Sequence, residues 1–405
     1  MEQAPDPQLT RPADPAFRRK VFYIPGYDPI HPRRYRELYR KEGNDQARIT
    51  GYVLRLLPRK GGGPYGWRVE TEMCRSTKAE VEVLVWSDIV RASMATGIPA
   101  TYLQLIRTAW AYIGSGALFA LMRLRKGPTI AALYPVGLLI LQLVVALLAG
   151  FGLYRLGALV HPALGLVTGV AIFPLILQTF RRYDNRLFAY YLMHDYAYSA
   201  QSHGANPAQL EARLAEFSLR IRSALSDCDE VLIVGHSSGA HLAVSILSDL
   251  IRAGLPDDRP ALSLLTLGQV VPMVSFLPKA QRLRADLAYL SARPELTWVD
   301  VTAPGDGCAF ALCDPVAVTG VAPPDKRWPL VVSAAFTQTL SPERWKALRW
   351  RFFRLHFQYL CAFDRPGDYD YFQITAGPLT LADRYRDRAP SKSRIETPLS
   401  PWRST

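Results

Sequence analysis

The chain has 405 residues, 49% of them hydrophobic and 20% charged, with a formal net charge of +13. That balance excludes an intrinsically disordered chain. The excess of Lys and Arg suits an anionic surface; with no zinc-finger spacing, aromatic RNA-binding signature or recognition-helix pattern, the reading is a membrane and no nucleic acid.

Residues 1–20 carry Pro and charge without an apolar stretch and read as a mobile tail rather than a signal or anchor. The first strand is expected at Val21 to Pro25 (VFYIP), ended by Gly26, with a helix following from Pro32 through Leu57. Gly61-Gly62-Gly63-Pro64 is a loop, and the alternating segments Trp67 to Met73 and Glu80 to Trp86 are strands. No charged residue lies between Lys126 and Arg155 or between Arg155 and Arg181. Each run is longer than the ~20 residues a helix needs to cross hydrocarbon. Spans are expected over 128–153 and 159–180, with Arg155, Gly157 and His161-Pro162 in a tight turn between them. The uncharged stretch Thr108 to Met122 is too short to span comfortably and is expected to lie in the interface or to cap the site.

Beyond the hairpin a soluble pattern returns. Pro207 to Leu225 is an amphipathic helix with Asn206 as its cap, and Glu230 to Val234 (EVLIV) is a strand buried on both faces. Ser238 to Ala253 is helical, Ala261 to Leu267 a strand and Pro278 to Leu290 a helix. Leu296 to Thr302 and Leu330 to Ala335 are strands, and 388–405 reads as a second tail. Strand alternating with helix implies an α/β fold: a mostly parallel sheet with helices on both faces. Its halves are 21–100 and 206–387, separated by a membrane-associated insertion over 101–205. The five scattered cysteines (Cys74, Cys228, Cys308, Cys313, Cys361) form neither a disulfide framework nor a zinc set. They read as small buried side chains in a reducing compartment, and no metal or organic cofactor is implied.

The segment VLIVGHSSGAHLA, Val231 to Ala243, contains Gly-x-Ser-x-Gly as Gly235, His236, Ser237, Ser238 and Gly239. The motif alone is weak, but a buried strand runs directly into it and an apolar-periodic helix directly out. A serine hydroxyl is a poor nucleophile unless it is exposed beside a base. A strand that turns into a helix within one or two residues holds Ser237 out at the strand's carboxyl end. A Cβ at either glycine would collide with a neighbouring element, and the helix N-terminus faces developing negative charge.

Here the chain resembles the α/β-hydrolase superfamily over most of its length outside Thr108 to Phe180, starting at what looks like the family's third strand. The resemblance implies the order nucleophile, acid, histidine. Of seven histidines only His356, in RLHFQYL, follows the elbow and its helix, so it is the implied base. The acid is implied in the loop after the penultimate strand, where Asp306 follows LTWVDVT; Asp300 and Asp314 are the alternatives. The oxyanion hole would be formed by the N–H of Ser238 and a donor in the loop after VFYIP: Gly26, Tyr27 or Asp28, with Pro25 where the family usually has histidine.

The strands near Val21 and Val231 belong to one sheet, so the insertion must cross a bilayer an even number of times. Arg123, Arg125 and Lys126 before the hairpin and Arg181, Arg182 and Arg186 after it outnumber Arg155 at the turn, which puts the catalytic domain in the cytoplasm. The Ala, Leu and Arg richness points to a bacterial inner membrane. Arg344 to Phe357, basic and aromatic, suits anionic headgroups. The expected activity is cleavage of a lipophilic ester or thioester drawn from the bilayer. An acyltransferase on the same fold and a non-catalytic membrane scaffold are the alternatives.

Overall fold

The computed structural model describes residues 16–59 and 61–405. Strand β1 (Phe17–Ile24) runs into helix α1 (Arg33–Thr50), and strands β2 (Val53–Pro58), β3 (Gly66–Glu72) and β4 (Ser76–Val83) follow. Next come α2 (Ser87–Met94), α3 (Ile98–Gly114), α4 (Ala117–Leu124), α5 (Lys126–Ala158), α6 (Pro162–Arg182), α7 (Asp184–Leu187), α8 (Ala189–Ala200) and α9 (Ala208–Arg222). The second half holds β5 (Glu230–His236), α10 (Gly239–Arg252), β6 (Ala261–Leu267), α11 (Val271–Ser275), α12 (Gln281–Ser291), β7 (Thr297–Thr302) and α13 (Pro315–Thr319). It ends with β8 (Leu330–Ser333), α14 (Phe336–Thr339), α15 (Pro342–Leu348), α16 (Phe352–His356), a 3-10 turn (Gln358–Leu360), α17 (Tyr371–Ala376) and α18 (Leu381–Arg384).

The eight strands form one sheet in the order β2-β3-β4-β1-β5-β6-β7-β8. Strands β4, β1, β5, β6, β7 and β8 are mutually parallel, whereas β2, β3 and β4 pair antiparallel. Alternate residues of the central strands serve opposite faces. Val21, Tyr23, Leu232 and Val234 pack with Tyr39 and Trp67 on one face. Phe22, Ile24, Val231 and Ile233 pack with Leu214 of α9, Leu247 of α10 and Leu287 of α12 on the other. Burial on both faces is why β5 is apolar without a break.

The helix expected to run through Leu57 instead stops at Thr50. Gly51 adopts the left-handed conformation (φ 82°) and its N–H caps Ala47, which frees Val53–Pro58 to become β2. Asn206 is not a cap: Pro207 occupies that place on α9, and the Asn206 amide donates to Glu211 at 2.8 Å. Strand β1 already begins at Phe17, inside the expected N-terminal tail, whose residues 1–15 lie outside the described residues. The stretch expected as a C-terminal tail lies against the domain. Ile395 bridges Cys313, and the buried Arg284 donates to the Ser404 carbonyl at 2.6 Å. Its proline- and serine-rich composition hid this because these contacts use backbone groups.

Helices α5 and α6 are long and apolar enough to cross a membrane, with mean hydropathies of 2.5 and 1.9. Arg155 and Gly157 belong to α5 rather than to the turn, which is confined to Leu159–His161. The helices meet through glycines: a Cβ on Gly165 would lie 2.5 Å from the Tyr154 carbonyl, and one on Gly169 would lie 2.7 Å from that of Gly150. The apolar stretch before them is broken, α3 and α4 bending by 75° at Gly116. One side packs on the second half of the sheet domain, where Leu121 and Leu124 join Met273, Phe276 and Phe310. The other side exposes Ile106, Trp110 and Phe119. Because β1 and β5 are sheet neighbours, any bilayer crossed between them is crossed an even number of times. The bent pair therefore does not add a third span to the hairpin.

Candidate active site

Four parallel strands end at one edge of the sheet, and each delivers a piece of the site just past its carboxyl end. Strand β5 delivers Ser237, whose backbone is left-handed (φ 57°), a conformation that costs an L-residue energy and marks a forced corner. The Ser237 N–H donates to the Leu267 carbonyl of β6 at 2.9 Å, which holds the corner in place. Both flanking glycines are sterically required. A Cβ on Gly235 would lie 2.6 Å from the Gly239 carbonyl, and one on Gly239 would lie 2.2 Å from that of Ile24. Helix α10 starts at Gly239 with Ser238 as its N-cap residue, so its free N–H groups lie beside the hydroxyl.

The loop after β7 supplies Asp306, and the end of α16 supplies His356. Their side chains meet at 2.7 Å between His356 Nδ1 and Asp306 Oδ2, and both residues are buried. Burial pushes the Asp306 carboxyl up, but the facing His356 and hydrogen bonds from His356, the Cys308 N–H and Tyr359 outweigh it and hold the group below its ordinary range. With Nδ1 donating to Asp306, Nε2 is left as the basic nitrogen. Neither alternative acid is near this pair. Asp300 is enclosed within β7, accepts from Thr266 at 2.6 Å, and is pushed up to about 8 by burial. Asp314 caps α13 and pairs with Lys326 at 2.6 Å.

Ser237 and His356 both lie beside the Leu267-Gly268 link at the end of β6. Ser237 bonds the preceding carbonyl, and a Cβ on Gly268 would lie 3.1 Å from His356 Cε1 and 2.7 Å from Tyr359. No hydrogen bond joins Ser237 Oγ to His356 in this conformation. Gly26 presses on Ser237 from the β1 side, since its Cβ would stand 2.9 Å from Ser237 Cβ. The neighbouring N–H groups of Tyr27 and Ser238 have no protein acceptor among the described residues, so both are free to bind an oxyanion. Asp28, the other candidate donor, is tied into its own loop by Ile30, Arg34 and Tyr35. The loop is anchored by Trp86, whose indole N–H donates to the Pro25 carbonyl at 2.9 Å.

Three residues that sequence reasoning passed over complete the site. His236, the variable position of the motif, approaches the His356 carbonyl with its Nε2 at 3.0 Å and packs ring against ring at 4.9 Å. Burial, with the facing His356 second, pushes His236 down to about 3, so it is neutral and its Nε2–H donates. The Tyr359 hydroxyl takes a hydrogen bond from the Ala303 N–H and gives one to Asp306, both at 3.0 Å. Its only sequence signal is its position three residues after His356. Asp195, on α8 of the insertion, borders a cavity shared with Tyr27, Trp86, Ser238 and His241.

Asp306, Cys308 and His356 also offer three ligand-type atoms within 4.8 Å of one another. The Asp306 oxygens already accept from His356, Tyr359 and the Cys308 N–H, and burial pushes the Cys308 thiol well up. Both features oppose a cation and fit a His–Asp pair. No family model, curated protein sequence or solved structure matches the chain.

Proposed function

We propose that the chain is a membrane-anchored serine hydrolase of the α/β-hydrolase type that cleaves carboxylic esters or thioesters through an acyl-enzyme. The observation that carries this reading is the His356–Asp306 pair beside a left-handed serine at the carboxyl edge of a parallel sheet. The sheet order supports the family resemblance. Strands β2 and β3, later in the chain and antiparallel, fill the edge where the two strands missing from its start would stand.

Ser237 Oγ attacks the carbonyl carbon while His356 Nε2 takes its proton, and Asp306 stabilises the resulting imidazolium. The carbonyl oxygen becomes an oxyanion held by the Tyr27 and Ser238 N–H groups. Collapse breaks the ester C–O bond, with His356 returning its proton to the leaving alcohol. Water then repeats the sequence on the acyl-enzyme and restores Ser237. Attack requires Ser237 Oγ to come within hydrogen-bond reach of His356 Nε2.

The hairpin spans a bilayer with its ends on the cytoplasmic side. Arg125 donates to the Ala311 carbonyl at 2.8 Å and Arg181 to that of Thr96 at 2.6 Å, so the basic ends sit at the catalytic domain. The exposed faces of α3 and α4 then lie at the interface, which favours a lipophilic substrate. The test is fluorophosphonate labelling of the full-length protein in detergent. Labelling in the wild type that vanishes in Ser237→Ala is expected. No labelling of the wild type, under conditions that label a control hydrolase, overturns the reading.

A further inference from the structure

Helix α6 ends beside the first turn of α3, and the two leave a groove of about 730 Å³ between them. Its floor is apolar, with Ile98 on α3 and Phe173, Pro174 and Leu177 on α6, and its rim carries Arg181 and Arg182. Among the described residues no carboxylate lines it. The Arg181 guanidinium is fixed by donating to the Thr96 carbonyl at 2.6 Å. That of Arg182 is exposed and bonds to nothing among the described residues. Asp184, the first acid after them, is engaged elsewhere: its two oxygens accept from the Tyr190 and Tyr191 N–H groups at 3.0 Å. The first turn of α3 adds the positive end of a 17-residue helix, where the Ile98 and Ala100 N–H groups have no acceptor among the described residues.

Depth in the membrane limits what fills this groove. Helix α6 has 21 residues. At 1.5 Å per residue it is about 31 Å long, close to the ~30 Å thickness of the hydrocarbon core. With α6 across a bilayer, its last two residues, Arg181 and Arg182, stand at the level of the headgroups. Leu177 and Phe173 lie about one and two turns deeper, inside the hydrocarbon. The groove therefore matches an amphiphile end to end, with an acyl chain along Phe173 and Leu177 and a headgroup at the guanidiniums. Two arginines and a helix N-terminus facing no acid favour a negative headgroup. A zwitterionic one carries its own cation beside its phosphate and gains less there.

We infer that the groove between α3 and the end of α6 is a binding site for one anionic phospholipid, drawn from the leaflet beside the sheet domain. This rests on α5 and α6 spanning a bilayer and not on the chemistry at Ser237. The bound lipid bridges the hairpin to α3. Helix α3 is in turn tied to the sheet domain, since the Tyr112 hydroxyl donates to the Met273 carbonyl at 2.9 Å. The lipid thus helps to fix the membrane hairpin against the rest of the protein.

The experiment titrates the full-length protein in detergent micelles with dioleoylphosphatidylglycerol or dioleoylphosphatidylcholine, which share their acyl chains and differ in headgroup charge. Native mass spectrometry counts the lipids bound per chain. The wild type is expected to retain one phosphatidylglycerol with an affinity about tenfold or more above that for phosphatidylcholine. Arg182→Gln, which breaks no bond within the protein, is expected to shrink that preference about fivefold. Replacing Arg181 by Gln as well is expected to abolish it. Arg123→Gln removes an exposed arginine of α4 outside the groove and is expected to leave the preference unchanged. Thermal melts in lipid-free micelles report that each variant is folded. Equal retention of the two lipids by the wild type overturns the site while the membrane span stands. So does a preference that survives Arg182→Gln, or one that Arg123→Gln lowers as much. A protein that stays soluble and monodisperse without detergent overturns the span and this site with it.

Discussion

Replacing His236 tests whether His356 is held in place by the residue next to Ser237. In the folded protein the neutral His236 ring donates to the His356 carbonyl at 3.0 Å and stacks on the His356 and Phe357 rings at 4.9 and 5.1 Å. His236→Leu keeps most of the buried volume but leaves that carbonyl without a donor. An unsatisfied buried carbonyl costs about 1–3 kcal/mol. If the strain is released by movement of the His356 segment, the same energy is needed to bring the imidazole back to Ser237. The expected loss in kcat is then about 5- to 150-fold. Because His236 is buried, KM is expected to change less than about twofold. His236→Gln places an amide donor at similar reach and is expected to recover most of the loss. The assay is steady-state hydrolysis of a chromogenic short-chain ester, alongside the rate of fluorophosphonate labelling. A leucine variant with wild-type kcat refutes the latch, and equal defects in Leu and Gln show that ring packing, not the donated hydrogen bond, matters.

Asp306→Asn allows the wrong imidazole tautomer, and kcat is expected to fall on the order of 10³–10⁴-fold, measured with the same ester. Asp300→Asn removes a pH dependence of stability. The buried Asp300 titrates at about 8 in the fold against an ordinary 3.8, so between those values the native state holds a proton that the unfolded chain has released. Stability is fully present below about pH 4 and declines as pH rises through about 8; thermal melts in detergent should show Asp300→Asn flattening this slope, and an unchanged slope counts against it. Gly169→Leu forces a side chain into the Gly150 carbonyl across the hairpin, a clash costing about 1–3 kcal/mol. A lowered melting temperature with Ser237 labelling retained is expected, and loss of labelling at low temperature would contradict the separation of hairpin from site.

Legibility followed the range of the interaction. The elbow could be read because strand, glycines, serine and helix are contiguous, and because the Gly235 and Gly239 collisions involve main chain close to the corner or on the adjacent strand. The apolar hairpin could be read because hydrocarbon length sets a minimum run of uncharged residues. Reading β2 as helix failed because one glycine conformation, not the hydrophobic spacing of Val53–Pro58, ended α1. The C-terminal stretch deceived for the converse reason: its composition says loop, and a loop can still be docked.

What the sequence determined by itself was a mostly parallel sheet, a forced serine corner and a helical hairpin long and apolar enough to cross a membrane, each written in local periodicity and steric need. The tertiary structure alone decided which carboxyl faces His356, since Asp300, Asp306 and Asp314 differ little as sequence but lie respectively inside a strand, at the site and on a helix cap. It alone brought His236 to the His356 carbonyl across 120 residues. Such pairings depend on where chain folding brings distant side chains, and on whether a buried polar group finds a donor there, neither of which has a local signature.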